Sequence, residues 1–355
     1  MKILFIGLGG IGQRHARNLR SILGGNAELL AYRTRRLSHL ITPTLGIDET
    51  RNPESEYGIR VFDDLKAALA EGPEVAFICN PSGLHVDVAL QCVDAGCDIF
   101  VEKPLSNSLA GVESLIQLAR KKSLVAMVGY QLRFHPCLKQ LSSVLNQQAI
   151  GRVLAVRAII GEYLPFWHRY EDYRQMYAAR ADLGGGVVLS QIHEMDYLYS
   201  LFGVPRRVFA MGGHWSELDI DVEDTASVLM EFSWGGRPLP VHLQLDYLQY
   251  PPTRQCEVVG DNGKVTADFV TNEVLIYRDR NLVPERCKYE GFERNQLFLD
   301  ELAHFLNCVK TRQQPMITLD DGMQSLRIAL AAKESILSRR VVEIEQAPEG
   351  VTERR

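Results

Sequence analysis

No uninterrupted apolar run in the chain approaches the roughly 18 residues that a membrane helix needs. The opening Met1–Gly12 is apolar but broken by glycines, and no small-residue cleavage site follows it, so no signal peptide is expected. Cysteines number seven, an odd count without a C-x-x-C pair, which argues against a disulfide framework and for reduced thiols in a cytoplasm. Neither charge sign dominates: Lys+Arg 39 against Asp+Glu 44 gives a net charge of -5, with no global bias toward nucleic acid or anionic membrane. There is no fixed-period repeat, no low-complexity tract, and no H-x-x-x-H, cysteine pair or tight acid cluster spaced to hold a metal. Apolar residues at 46% and charged ones at 23% exclude a disordered or fibrous chain. The 355 residues, at roughly 150 per domain, suggest two domains.

What is present first is an alternation of short apolar runs and helix-length segments. Lys2–Gly7, Glu28–Tyr32, Glu74–Cys79, Asp98–Val101 and Leu124–Val128 read as strands. Ile11–Leu23, Asp63–Glu71, Leu84–Ala95 and Ala110–Lys121 read as the intervening helices. Parallel βαβ units follow, hence a doubly wound Rossmann sheet over residues 1–128. The polar stretch Thr42–Tyr57, with Pro43, Gly46 and Pro53, reads as a surface insertion. The texture changes near Gly151. Val153–Ile160, Val208–Gly212, Ala226–Phe232, Val241–Tyr247, Glu257–Val259 and Val274–Tyr277 predict an open, mainly antiparallel sheet within an α/β domain over residues 129–345. Asp261-Asn262-Gly263 supplies a hairpin turn suited to positive φ. One helix is expected after Gly184–Gly186, and long helices over Asn295–Thr311 and Asp320–Ser338 close the chain, with the option of packing back on the first domain. A frayed tail is expected over residues 346–355.

Gly7, Gly9 and Gly12, with Gly10 and Ile11 between them, have the G-x-G-x-x-G spacing. The first glycine permits a tight turn, the second lets backbone approach a pyrophosphate, and the third allows close helix–strand packing. The helix that starts there points unsatisfied N–H groups at the phosphates. An ordinary glycine turn is the bland alternative, but this one follows a strand and opens a βαβ series. About 20 residues on, where an acid would hold the ribose 2′-hydroxyl, the chain has Tyr32-Arg33-Thr34-Arg35-Arg36. Arg33 and Arg36 there favour a 2′-phosphate and so NADP(H), with NAD(H) possible and a solvated basic turn as the alternative. Asn80, Ser82 and His85 follow one strand, and Glu102 and Lys103 the next, at the edge where such sheets bind ligands. A lysine beside a nicotinamide could stabilise a developing alkoxide. Ser190, His193 and Asp196 fall three apart on the helix after the triple glycine. A histidine facing the cofactor could take a hydroxyl proton as hydride leaves. Trp167–Arg174, with His168 and Asp172, is dense in rings and hydrogen-bonding groups. A polyhydroxylated substrate or a partner subunit would suit it equally.

These motifs together with Gly129–Pro136 (GYQLRFHP), in this order from Gly7 to about Glu345, resemble the Gfo/Idh/MocA family of glucose–fructose oxidoreductase, inositol dehydrogenase and rhizopine-catabolism proteins. The resemblance implies NAD(P)-dependent oxidation or reduction of a sugar, nucleotide sugar or cyclitol, in a homodimer or homotetramer joined through the open sheet. It makes Lys103 and His193 the catalytic pair. It places Gly7, Gly9, Gly12, Asn80, Ser82, His85 and Glu102 on the dinucleotide, and Gln131 joins them. Arg133, Tyr163, His168, Asp172, Ser190 and Asp196 are the candidate substrate residues. The commoner family pattern has an Asp four residues before the histidine, where this chain has Leu189, and aligning on the glycines puts Ser190 there. Asp196, Asp172 or Glu162 could then orient the imidazole. A dinucleotide-binding protein without catalysis, and a hydrolase or lyase using transient oxidation by NAD, are the rival readings.

Overall fold

The computed structural model describes residues 1–34, 39–168 and 170–346. In chain order its first part runs β1 (Lys2–Ile6), α1 (Gly10–Leu23), β2 (Glu28–Tyr32), a hairpin of β3 (Leu40–Ile41) and β4 (Ile47–Asp48), and α2 (Pro53–Tyr57). There follow β5 (Ile59–Phe62), α3 (Leu65–Ala70), β6 (Val75–Ile78), α4 (His85–Asp94), β7 (Asp98–Glu102), α5 (Val112–Lys121) and β8 (Ala126–Gly129). Six of these strands form one sheet in the order β5-β2-β1-β6-β7-β8, and every pairing is parallel. Helices cover both faces, so β6, β7 and β8 are buried at every position, which is why they read as unbroken apolar runs. The order reverses between β1 and β6, and their carboxyl ends open the crevice in which such sheets bind ligands.

The second part runs α6 (Pro136–Asn146), β9 (Val153–Gly161), α7 (Val187–Ser190), α8 (His193–Phe202), β10 (Arg207–Gly213), β11 (Thr225–Trp234), β12 (Arg237–Asp246) and β13 (Thr253–Gly260). It ends with β14 (Gly263–Asp268), β15 (Glu273–Arg278), β16 (Glu285–Lys288), α9 (Arg294–Thr311), α10 (Leu319–Ser338) and β17 (Val342–Glu343). Nine strands pair in the order β16-β15-β14-β13-β9-β12-β11-β10-β17. All neighbours are antiparallel except β9 with β12, so the sheet is open and mixed. Its inward positions alternate with exposed ones, as in the burial pattern of β12. The last two long helices return to the first sheet. Phe298 and Phe305 of α9 close an aromatic cluster with His15, Phe77 and Phe100, and Val128 N–H donates to the Ile317 carbonyl just before α10 at 3.2 Å.

Two local expectations change, and a third, the surface insertion, gains detail. The Asp261–Asn262 turn does form a hairpin, but no residue in it has positive φ. Gly263 is needed for another reason: a Cβ there would strike the Tyr277 carbonyl of the neighbouring strand. The polar stretch before β5 is ordered, since Asn52 accepts from Glu54 N–H and Pro53 starts α2. The helix after the triple glycine is two helices, because Gln191 leaves helical geometry at ψ 33°. Ser190 therefore does not share one continuous helical face with His193 and Asp196. All seven cysteines are free thiols, and among the described residues no helix is long and apolar enough to cross a membrane. The expected tail lies almost wholly outside the described residues, as do Arg36 and Arg169.

Candidate active site

The glycine loop has the geometry its spacing requires. Gly7 sits at φ +94° with the Cys79 carbonyl 3.1 Å from where a Cβ would project, and a Cβ on Gly12 would stand 2.5 Å from the Gly7 carbonyl. Nothing lies within 4 Å of a Cβ on Gly9, so that side of the loop is open to a phosphate. Gly9 caps α1 without any side-chain hydrogen bond, and Gly10 and Ile11 begin the helix. One contact was not legible in the sequence: the Tyr170 hydroxyl, from the aromatic segment of the second part, lies directly over Gly10.

At the ends of β6 and β7 the sequence candidates converge. His85 is buried between two carbonyls, its Nδ1 2.9 Å from Pro104 O and its Nε2 2.8 Å from Asn80 O, and so ties the two loops together. Ser82 Oγ donates toward the Leu183 and Gly184 carbonyls at 3.3 and 3.4 Å, joining this edge to the triple-glycine turn. Asn80 keeps a buried Oδ1 without a partner among the described residues, and buried polar atoms left so are normally completed by a ligand or water. Glu102 pairs with His15 Nε2 at 2.6 Å deep in the sheet. The open face at Gly9, the tight approach at Gly12 and the unpaired Asn80 oxygen together fit a dinucleotide lying across these loops.

Lys103 and His193 meet at the break between α7 and α8. In an unbroken helix the Ser190 carbonyl would accept from the residue four positions on; here Lys103 Nζ donates to it at 2.8 Å. His193 opens α8, with Nε2 3.2 Å from the Gln131 amide nitrogen, its Nδ1 unpaired among the described residues and its ring edge-on to Tyr130 at 5.8 Å. Burial, then the charges of Lys103, Arg254 and Arg294, hold its pKa well below the usual histidine range. The imidazole is therefore neutral at physiological pH and able to accept a proton.

The other candidates take varied places. Arg133 grips Asp196 bidentately at 2.8 and 2.7 Å, and Ser325 also donates to Asp196 at 3.0 Å, so this carboxylate is committed to joining the short 3₁₀ helix Gln131–Phe134, α8 and α10. Asp172 accepts from Arg174 and caps a turn. His168 pairs with Glu171 at 3.1 Å and stacks on Tyr170, and Tyr163 packs edge-on to Phe166. None of these carboxylates has a hydrogen bond to His193 among the described residues. Arg33 is buried, with Nη1 2.7 Å from Glu54 of α2, a partner that no local sequence signal gives away. Reasoning from sequence also passed over Arg254, which holds Glu194 beside His193 at 2.7 and 3.0 Å, and Arg294 at the start of α9. The described residues contain no group of three or more metal-ligating side chains. A groove of about 680 Å3 bounded by Met1, Ile22, Leu306 and Arg312 lies at the opposite, amino-terminal edge of the first sheet, away from this chemistry.

Comparison with known proteins identifies the family to which this fold belongs. Residues 1–130 match the family model described as "Oxidoreductase family, NAD-binding Rossmann fold", and residues 138–266 match the GFO/IDH/MocA C-terminal domain. A myo-inositol 2-dehydrogenase of Thermotoga maritima is 29% identical over 98% of this chain and 99% of its own. A trans-1,2-dihydrobenzene-1,2-diol dehydrogenase of Xenopus tropicalis is 35% identical over 72% of this chain and 76% of its own. The solved structure of a Lactobacillus casei scyllo-inositol dehydrogenase, with bound NAD(H) and scyllo-inositol, superposes with a TM-score of 0.74 at 22% identity, covering 97% of this chain and 98% of that one.

Proposed function

Because this chain belongs to the Gfo/Idh/MocA family of NAD-binding oxidoreductases, we propose that it moves hydride between a nicotinamide and a secondary hydroxyl or ketone of a sugar, nucleotide sugar or cyclitol. The observation that carries this reading is the convergence of Lys103, from the end of β7, with a buried neutral His193 from across the crevice. A bound nicotinamide would take up or give back the hydride. Removing hydride from a carbinol carbon requires the hydroxyl proton to leave, and His193 is the neutral base placed to accept it. Lys103 is held by a carbonyl rather than a carboxylate, so its full charge remains to stabilise the alkoxide. A binding protein without catalysis would have no use for that pair, and a transient-oxidation hydrolase would regenerate its cofactor at every turnover.

For the form of the dinucleotide, our reading turns on Arg33. The run Tyr32–Arg36 by itself favours NADP(H), but Glu54 already engages Arg33 and supplies at the end of β2 the carboxylate that the run lacks. With that carboxylate in place, NAD(H) is the better-supported cofactor. The outer face of the second sheet exposes Met211, Leu229 and Val259, which supports self-association through it into a homodimer or homotetramer.

Stopped-flow and steady-state kinetics test the assignment. His193→Ala and Lys103→Ala should each lower kcat by about 10²–10⁴-fold with dinucleotide binding retained. The double variant should lose less than the product of the two. Ser190→Ala should cost far less. Near-normal turnover by His193→Ala on a true substrate would overturn the scheme.

A further inference from the structure

The G-x-G-x-x-G spacing constrains residues 7, 9 and 12 and leaves residue 10 free. Residue 10 is glycine as well, and the second part of the chain supplies the reason. A Cβ on Gly10 would collide with the Tyr170 hydroxyl, with the ring carbon that bears it 3.2 Å away and Ile41 Cδ1 at 3.7 Å. Tyr170 belongs to residues 162–186, which run from β9 to the triple-glycine turn. Short 3₁₀ turns make up much of this strap: Leu164–Phe166, Tyr173–Gln175, Tyr177–Ala179 and Ala181–Leu183. The strap is fastened to the second part. Trp167 meets Tyr247 edge-on at 5.2 Å, Tyr173 Oη accepts from Asp219 N–H at 3.2 Å, and Asp221 accepts from Ala181 N–H at 2.7 Å. From that anchorage it touches the first part at two places, Gly10 through Tyr170 and Ser82 through the Leu183 and Gly184 carbonyls.

What Tyr170 touches is the start of α1. The first backbone bond there runs from Gln13 N–H to the Gly9 carbonyl at 2.9 Å, which leaves the N–H groups of Gly10, Ile11 and Gly12 without a helical acceptor. The Tyr170 hydroxyl has no hydrogen bond among the described residues, and His168, stacked on the ring at 5.1 Å and 16°, holds its orientation. Burial, then Glu171, raises the pKa of this phenol, so it keeps its proton and acts as a donor. It flanks the approach to the helix terminus and does not fill it, because nothing lies within 4 Å of a Cβ on Gly9. We propose that Tyr170 is the second part's clasp on the dinucleotide: its hydroxyl donates to an oxygen of the diphosphate held by the N–H groups that open α1, and so slows release. The proposal rests on the dinucleotide crevice read above and is independent of the hydride chemistry. It also accounts for Gly10, since any side chain there would push the hydroxyl off the loop.

Stopped-flow NADH fluorescence on wild type, Tyr170→Phe, Tyr170→Ala and Gly10→Ala tests this, with ADP-ribose and adenosine as competitors. Tyr170→Phe keeps the ring and should release NADH about ten- to a hundred-fold faster at a nearly unchanged association rate. ADP-ribose, which carries the diphosphate, should weaken by a similar factor, and adenosine should not. Gly10→Ala should weaken NADH binding in wild type by displacing the hydroxyl, and should change it by less than about twofold in the Tyr170→Ala background. In turnover, the KM for the dinucleotide should rise in Tyr170→Phe while kcat does not fall, a split that a general loss of structure would not give. Release no faster than from wild type overturns the proposal, and so does a loss that adenosine shares. Tighter NADH binding by either Tyr170 variant would make the side chain a stopper in the phosphate's place, which also overturns it. Equal Gly10→Ala losses in both backgrounds would show that the tyrosine does not rest on the loop. Tyr170-dependent release without hydride transfer to any polyol would keep the clasp and sink the dehydrogenase reading. Turnover with Tyr170-independent release would do the reverse.

Discussion

Replacing Glu54 by Gln should shift the choice of dinucleotide toward NADP(H). Arg33 Nη1 lies 2.7 Å from Glu54, and the carboxylate side chain is 35% exposed. A 2′-phosphate gripping Arg33 would sit roughly 5 Å from that carboxylate, where two unit charges repel by about 3 kcal/mol at an effective dielectric of about 20. Solvent screening at a third-exposed group reduces this to roughly 1–1.5 kcal/mol, close to a factor of ten in affinity. The amide keeps the shape and can still accept a hydrogen bond from Arg33, so the fold of α2 is preserved. Fluorescence titration with NADH and NADPH reads the result. Glu54→Gln should tighten NADPH binding about tenfold and leave or slightly weaken NADH binding, and adding Arg33→Ala should abolish the gain. An unchanged NADPH to NADH ratio in Glu54→Gln would show that this pair lies away from the ribose, and the reasoning would fail. Raising ionic strength should also shrink the gain, because the partly exposed Glu54 carboxylate is screened.

Other perturbations address what holds the crevice together. Glu301 is fully buried with both carboxyl oxygens unpartnered among the described residues, and burial, then Glu102 and Asp196, push its pKa well up. The folded state therefore keeps a proton that the unfolded chain releases above about pH 4.5, and stability falls as pH rises toward the raised value. Glu301→Gln should stabilise by about 1–3 kcal/mol at pH 8 and by less at pH 5, read as a pH-dependent gain in Tm. His135 is held down at about 4, mainly by burial and then by Arg254. Its stabilising contribution is complete above about pH 6.5 and is lost as pH falls toward 4, by roughly 3 kcal/mol in all. His135→Asn can still accept from Cys137 N–H at the start of α6 and should flatten that acid limb of the Tm profile. Arg133→Ala would strand Asp196 and should cost about 3–5 kcal/mol in urea unfolding, whereas replacing both partners with Met and Leu should recover most of it.

The central strands of the first sheet were legible because they are buried on both faces and read as apolar runs. β5 was missed because IRVF, at the sheet edge, alternates and is partly exposed. The glycine loop and the loops after β6 and β7 were legible because their chemistry is local: a turn, a close approach, a strand end. His193 does lie on a helix after the triple glycine, but the helix was drawn through Gln191, since nothing in the residue type announces a break stabilised by Lys103 from another element. Arg33–Glu54, Arg133–Asp196 and Tyr170 over Gly10 depend on contacts between segments 21, 63 and about 160 residues apart, which spacing cannot encode. Glu301 did leave a trace. It interrupts the apolar stripe Leu297, Phe298, Leu302 and Phe305 of α9, where a charged residue has no solvent to face.

That same α9 bears on where the molecule can be cut. It lies beyond both segments matched by the family models, which end at residues 130 and 266, yet its phenylalanines roof the cluster of His15, Phe77 and Phe100 inside the first sheet. The polypeptide leaves the nucleotide-binding half and comes back to finish it. A fragment stopping near residue 130 would present those rings to water, and it should be insoluble or molten when produced alone. Co-expression with a separate piece that begins before Arg294 should restore it. The hereditary module and the autonomous folding unit are therefore different objects in this protein.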